Sequence, residues 1–114
     1  MNPIALDHVD ADFTDGQLAA AASLMRLVAE PLRLRLLCLL AEGEADVTTL
    51  TGRAGAARPA VSQQLARLRV GGLIAAQKTG RRMVYRLRGG HVRSLIREVM
   101  AHADHLVGGH PEHD

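Results

Sequence analysis

The sequence predicts a mainly α fold in which four helices, a two-stranded hairpin and a fifth helix follow one another, and three observations within its 114 residues predict it. Apolar residues recur at helical spacing in stretches bounded by capping residues, prolines and glycines. Two short strand-like runs flank the glycine-containing tip Thr79-Gly80-Arg81. Charge is also segregated: residues 47–97 hold eleven Lys or Arg and no Asp or Glu, although the net charge of the chain is only +2.

The first thirteen residues read as a flexible arm. Thr14-Asp15-Gly16-Gln17 then has the pattern of a capping box, in which Thr14 accepts from an early backbone N–H and Gln17 reaches back. The helix it opens runs to about Val28, with an apolar stripe of Leu18, Ala21, Ala22, Met25 and Val28 whose alanines allow another helix to come close. Pro31 suits the first turn of a second helix, for which Leu32, Leu36, Leu39 and Leu40 supply the buried face up to Gly43. Asp46 caps a short third helix, Val47 to Ala54, that stops at Gly55. A fourth spans Arg58 to about Val70, with Val61, Leu65 and Leu68 inward and Gly71-Gly72 ending it.

Leu73 to Lys78 and Arg82 to Leu87 form the hairpin, a basic wing. After Gly89-Gly90 a last helix covers residues 91–107, with Val92, Leu95, Ile96, Val99, Ala103 and Leu106 as its apolar stripe. The domain is therefore expected over 14–107, between the arm 1–13 and a flexible histidine-bearing tail 108–114.

Composition narrows the class. A chain this short forms one small domain, and with one Phe, one Tyr and no Trp it gains from burying apolar helices against a second copy. The single cysteine, Cys38, excludes an internal disulfide and sits among leucines, as a buried thiol would. The acidic N-terminal stretch lacks the features of a signal peptide, and the longest apolar run, Leu18 to Met25 interrupted by Ser23, is far below the roughly 20 residues that span a bilayer. A cytoplasmic protein with no membrane partner is expected.

Two short helices joined by a glycine turn, followed by a basic hairpin, make a winged helix-turn-helix, in which the second of the pair enters the DNA major groove and the wing follows the backbone or an adjacent minor groove. Ser62, Gln63 and Gln64 carry side chains that exchange hydrogen bonds with base edges, while Arg58, Arg67, Lys78, Arg81 and Arg82 neutralise phosphates. Ala57, before this reading helix, provides no side-chain cap; an early N–H is left for a phosphate oxygen, and some ordering on DNA binding is expected.

Five of the six histidines lie in the last 24 residues. On one helix His91 and His102 return to within about 20° of each other but are separated by a rise of roughly 16 Å. Metal–nitrogen bonds of about 2 Å cannot bridge that gap. His102 and His105, an i, i+3 pair, chelate together, and an antiparallel second copy brings its own His91 to them, giving two symmetric sites across a dimer. Solvated histidines on a polar face are the alternative.

Glu30-Pro31-Leu32-Arg33-Leu34-Arg35-Leu36-Leu37, Pro59-Ala60-Val61-Ser62-Gln63-Gln64-Leu65 and Gly80-Arg81-Arg82-Met83-Val84-Tyr85-Arg86-Leu87 together resemble the ArsR/SmtB family of small dimeric transcriptional regulators over residues 14–107. The resemblance implies a cytoplasmic homodimer, joined through its first and last helices, that binds double-stranded operator DNA, usually as a repressor, and answers to a metal or another stress signal. Of the family's sensor sites, the thiolate one would need cysteines where Asp46 and Thr48 stand, which argues against soft metals. The other, on the last helix, has the pattern Asp-x-His, then His after eleven residues and His or Glu three further on. His91, His102 and His105 match it, with Gly89 in place of the aspartate. His110 and His113 in the tail, His8 or Asp10 in the arm, Asp104 or water are candidates for the missing ligand.

The tail is similar to that of the nickel- and cobalt-sensing branch, so Ni(II) or Co(II) is expected first, Zn(II) next and no organic cofactor. The alternatives are a regulator with no metal of its own that senses through a partner protein, or a winged helix used as a protein-binding scaffold. An enzyme is not expected, because the chain has no HExxH-like motif, Ser/His/Asp set or Gly-rich phosphate loop.

Overall fold

In a computed structural model the described residues are 12–108, and they form five helices and a small antiparallel sheet. Helix α1 (Asp15–Val28) starts with the expected capping box: the Gln17 amide N–H donates to Thr14 Oγ1 over 3.1 Å, and the Thr14 N–H donates to Gln17 Oε1 over 2.7 Å. Helix α2 (Pro31–Glu42) has Pro31 in its first turn and a cap of its own, the Glu30 carboxylate accepting from the Arg33 N–H at 2.8 Å. That bond holds Glu30 below the usual carboxylate range.

Strand β1 (Ala45–Asp46) leads directly into α3 (Val47–Ala54), which ends in a left-handed Gly55, and α4 (Arg58–Val70) follows after a short turn. The end of α4 is a complete Schellman motif. The Leu73 N–H donates to the Leu68 carbonyl and the Gly72 N–H to that of Arg69, with Gly72 at φ +84°, where a Cβ would be strained. Strands β2 (Ile74–Thr79) and β3 (Arg82–Leu87) pair antiparallel from Ile74↔Leu87 to Thr79↔Arg82 across a two-residue turn, Gly80-Arg81. Helix α5 (Gly90–Gly108) closes the chain, and none of the described helices is long and apolar enough to cross a membrane.

Three features differ from the sequence expectation. The sheet has three strands in the order β1-β3-β2, because Ala45 and Asp46 pair with Tyr85 and Val84 of the hairpin. On α2 the fully buried leucines are Leu36, Leu37 and Leu40, whereas Leu32 and Leu39 are half-buried at the edge of the core. The core collects these with Leu50 of α3, Val61, Leu65 and Leu68 of α4, Ile74 of β2 and Ile96 of α5. Cys38 is half-buried rather than buried; desolvation, aided by Glu42, pushes its thiol up and keeps it protonated.

Asp46 does two things. One carboxylate oxygen caps α3 by accepting from the Thr49 N–H at 2.8 Å, and the other takes the Arg82 guanidinium at 3.0 Å, so the hairpin is tied to the helix-turn-helix. Its carboxyl lies below the usual aspartate range, first because of the Thr49 hydrogen bonds and then because of Arg82. A carboxylate lowered in the folded state adds stability that is fully present above its unfolded value, near pH 4, and fades as pH falls through the folded one. Asp46→Asn is expected to flatten that acid limb in thermal melts taken between about pH 2 and 5, relative to the unsubstituted chain.

Candidate nucleic-acid interface and histidine helix

Burial of Val61, Leu65 and Leu68 sets the azimuth of α4 and turns Pro59, Ser62, Gln63, Ala66, Arg67 and Val70 outward. Ser62, Gln63 and Arg67 thus share one exposed face, flanked by two grooves. One, toward the hairpin, is lined by Ser62, Ala66, Arg69, Val70 and Tyr85. The other, toward α1, is lined by Leu27, Gln63, Ala66, Arg67, Val70 and Gly71. Arg69 and Tyr85 therefore border this exposed face although neither stood out in the sequence; an arginine within the acid-free run and the sole tyrosine are the only signals there.

The other basic residues singled out in the sequence lie on the hairpin and at the start of α4. Lys78 and Arg81 are exposed near the hairpin tip. Arg58, in the first turn of α4, donates to Thr48 Oγ1 at 3.2 Å, tying the two helices of the helix-turn-helix at their N-terminal ends. Arg82 is held by Asp46 yet keeps most of its side chain in solvent. Gln64 stands apart from Ser62 and Gln63. It is half-buried on the inner side of α4, where its Oε1 accepts from Arg33 Nη1 at 2.7 Å.

Ala57 is the N-cap of α4, extended at φ −67° and ψ 143°, and makes no side-chain bond to the helix. Pro59 has no N–H to offer, so the donors facing outward at this end belong to Arg58 and Ala60.

On α5, His91 and His102 are exposed and His105 is half-buried. Among the described residues no three His, Cys, Asp or Glu side chains are grouped closely enough to hold a metal, as the axial separation of His91 from His102 requires of a single copy. His8, Asp10, His110 and His113 lie outside the described residues. Gly89, which stands at the aspartate position of the family's pattern, has φ +83°, a left-handed conformation in which any side chain is strained. The same helix carries exposed Val99, Met100, Leu106 and Val107, and α1 exposes Leu18 and Met25, so part of the apolar surface of the first and last helices is left uncovered by one chain.

Residues 30–76, which include the whole helix-turn-helix, match the family model described as bacterial regulatory protein, arsR family. Over 99 residues, 87% of its length, the chain is 34% identical to the HTH-type transcriptional regulator KmtR of Mycobacterium tuberculosis and covers 76% of that protein. It is 41% identical over 93 residues to the HTH-type transcriptional regulator NmtR of the same organism, matching 81% of this chain and 78% of the relative. Among solved structures, the homodimeric winged helix-turn-helix DNA-binding domain of a possible ArsR-family transcriptional regulator from Mycobacterium bovis superposes with a TM-score of 0.76 at 32% identity, over 91% of this chain and 99% of that one.

The uncapped start of α4 gives a direct test. Ala57→Ser places a hydroxyl where the extended backbone already suits a cap, and is expected to stabilise the free chain by about 1 kcal/mol, raising the midpoint of thermal unfolding by roughly 4 °C. No change in the midpoint would mean that the hydroxyl finds no donor at this terminus.

Proposed function

The chain belongs to the ArsR/SmtB family of bacterial transcriptional regulators, DNA-binding winged-helix proteins rather than enzymes, and from that premise we propose that it is a dimeric repressor whose hold on operator DNA is set by a metal bound between its last helices. The observation that carries the reading is the double character of α5: its exposed apolar residues need a partner, and His91, His102 and His105 stand on the same helix. A second copy packed antiparallel along α5 and against α1 covers Leu18, Met25, Val99 and Leu106 and brings one copy's His91 toward the other's His102 and His105. The homodimeric state of the Mycobacterium bovis relative supports that assembly.

In this reading Ser62 and Gln63 meet base edges, and Arg58, Arg67, Lys78, Arg81 and Arg82 meet phosphates. Arg82 exchanges its contact with Asp46 for one with DNA or shares it between the two. The three imidazoles suit Ni(II) or Co(II) first and Zn(II) next, the metal acting as a bridge that favours one dimer geometry. A further ligand comes from the arm or tail, with His8, His110 and His113 as candidates, because Gly89 supplies none. The backbone at Gly89 also favours a second reading, a regulator that has given up its own metal and senses through a partner protein.

Coupling between metal and DNA is reciprocal and typically about 5- to 150-fold. In mobility assays with Ni(II), Co(II) and Zn(II), the responding metal is expected to weaken operator binding by about tenfold or more, and His91→Ala and His102→Ala each to abolish that response while leaving metal-free binding intact. The interhelical site is wrong if both variants respond as the parent does. Affinity of the parent is also expected to fall steeply with salt, because phosphate contacts release counterions.

A further inference from the structure

Gln64 has the composition of a base reader and the surroundings of a joint. Its Oε1 accepts from Arg33 Nη1 at 2.7 Å, and Arg33 Nε donates to the Leu27 carbonyl in the last turn of α1 at 2.6 Å. One guanidinium on the first turn of α2 therefore binds α1 and α4 at once. The helices are close here by an independent measure: a Cβ on Gly71, just past α4, would lie 2.3 Å from Leu27 Cδ2.

The bond matters to the reading face for a geometric reason. Val61, Leu65 and Leu68 hold α4 by apolar contact, which has no directional preference, whereas a guanidinium hydrogen bond is directional. Gln63 precedes Gln64 by one helical step of about 100°, so the direction of one side chain fixes that of the other. With side-chain tips at a radius of about 5–6 Å, a 20° roll of the helix moves them by roughly 2 Å, more than a hydrogen bond to a base edge tolerates.

We propose that Gln64 is a positioning residue for operator recognition, locked by Arg33 so that Ser62, Gln63 and Arg67 meet the DNA, and that it does not read bases itself. The proposal rests on the DNA-binding reading above. It separates from a reading role by charge. Gln64→Glu keeps an acceptor for Arg33 and turns the bond into an ion pair, but it would set a carboxylate against DNA if the side chain faced the groove. Gln64→Ala removes the contact in either case.

The test uses the full chain and a duplex that the unsubstituted protein selects from a randomised pool. Gln64→Glu is expected to bind that duplex within about threefold of the parent, with the same base preferences, and Gln64→Ala about tenfold or more weaker, a loss near that of one hydrogen bond to a charged group. The salt dependence of Gln64→Glu should match that of the parent, since the helix that carries Arg67 is still held in place. A second measurement needs no DNA: in thermal melts of Arg33→Met, Gln64→Ala and the double variant, the second substitution is expected to add little to the first. Gln64→Glu binding more weakly than Gln64→Ala, or Gln64→Ala binding as the parent does, overturns the positioning role alone, and additive thermal losses overturn the lock. If the parent selects no duplex, the DNA-binding reading falls and takes the positioning role with it.

Discussion

Everything else in this small protein is arranged around the burial of α2. Leu36, Leu37 and Leu40 have no exposed surface, and α1, α3, α4, α5 and β3 all pack against the helix that carries them. Its ends are gripped as firmly as its middle. Glu30 caps the N-terminus, Arg33 joins the first turn to α1 and α4, and Arg93 Nε of α5 donates to the Ala41 carbonyl in the last turn at 3.2 Å. A cationic donor at that position also answers the negative end of the helix dipole. Three carbonyl or amide oxygens, on α1, α4 and α2, thus receive arginine N–H groups at the junctions between helices.

Using arginine in this way suits a chain with almost no aromatic side chains. A core of leucine, valine and isoleucine supplies burial without direction, and the long planar guanidinium supplies the direction. The same residue type then serves two purposes in one sequence. Arg33 and Arg93 are half-buried and fix helices, while Arg58, Arg67 and Arg81 are exposed. Arg82 stands between the groups, since Asp46 engages it at the point where the hairpin meets α3. Asp46 is the last acid before the basic half of the sequence, and at that border it ties the hairpin to the start of α3.

The parts of the fold that were legible in the sequence are those fixed by local chemistry. Thr14 with Gln17, Asp46 as a cap, Gly55 as a stop and Gly71-Gly72 after α4 each act within a few residues, and the element bounds follow them. What depended on distant partners was not legible. Strand β1 is two residues long with no alternation to reveal it; only the edge of β3 makes it a strand. On α2, leucine occupies positions 32, 34, 36, 37, 39 and 40, so the helical periodicity is almost flat and cannot tell Leu37 from Leu39. Gln63 and Gln64 are chemically alike, and what separates them is an arginine 31 residues away from Gln64.

Gly89 shows the same principle at the candidate metal site. The sequence registers a missing aspartate; the backbone adds that the position is left-handed, at φ +83°, immediately before α5 begins. A carboxylate restored there would bear a backbone strain of about 1 kcal/mol or more unless the turn were rebuilt with it. In the proposed function the turn and the ligand set are therefore linked: a chain that enters α5 through a left-handed glycine gives up a donor at that corner and draws its ligands from imidazoles and terminal segments. Loss of an oxygen donor leaves a four-coordinate site one ligand short until the arm, the tail or water completes it, whereas imidazole itself serves zinc and nickel alike. In the proposed function, the ligand set offered to the metal is thus shaped as much by the backbone at residue 89 as by the three histidines that follow it.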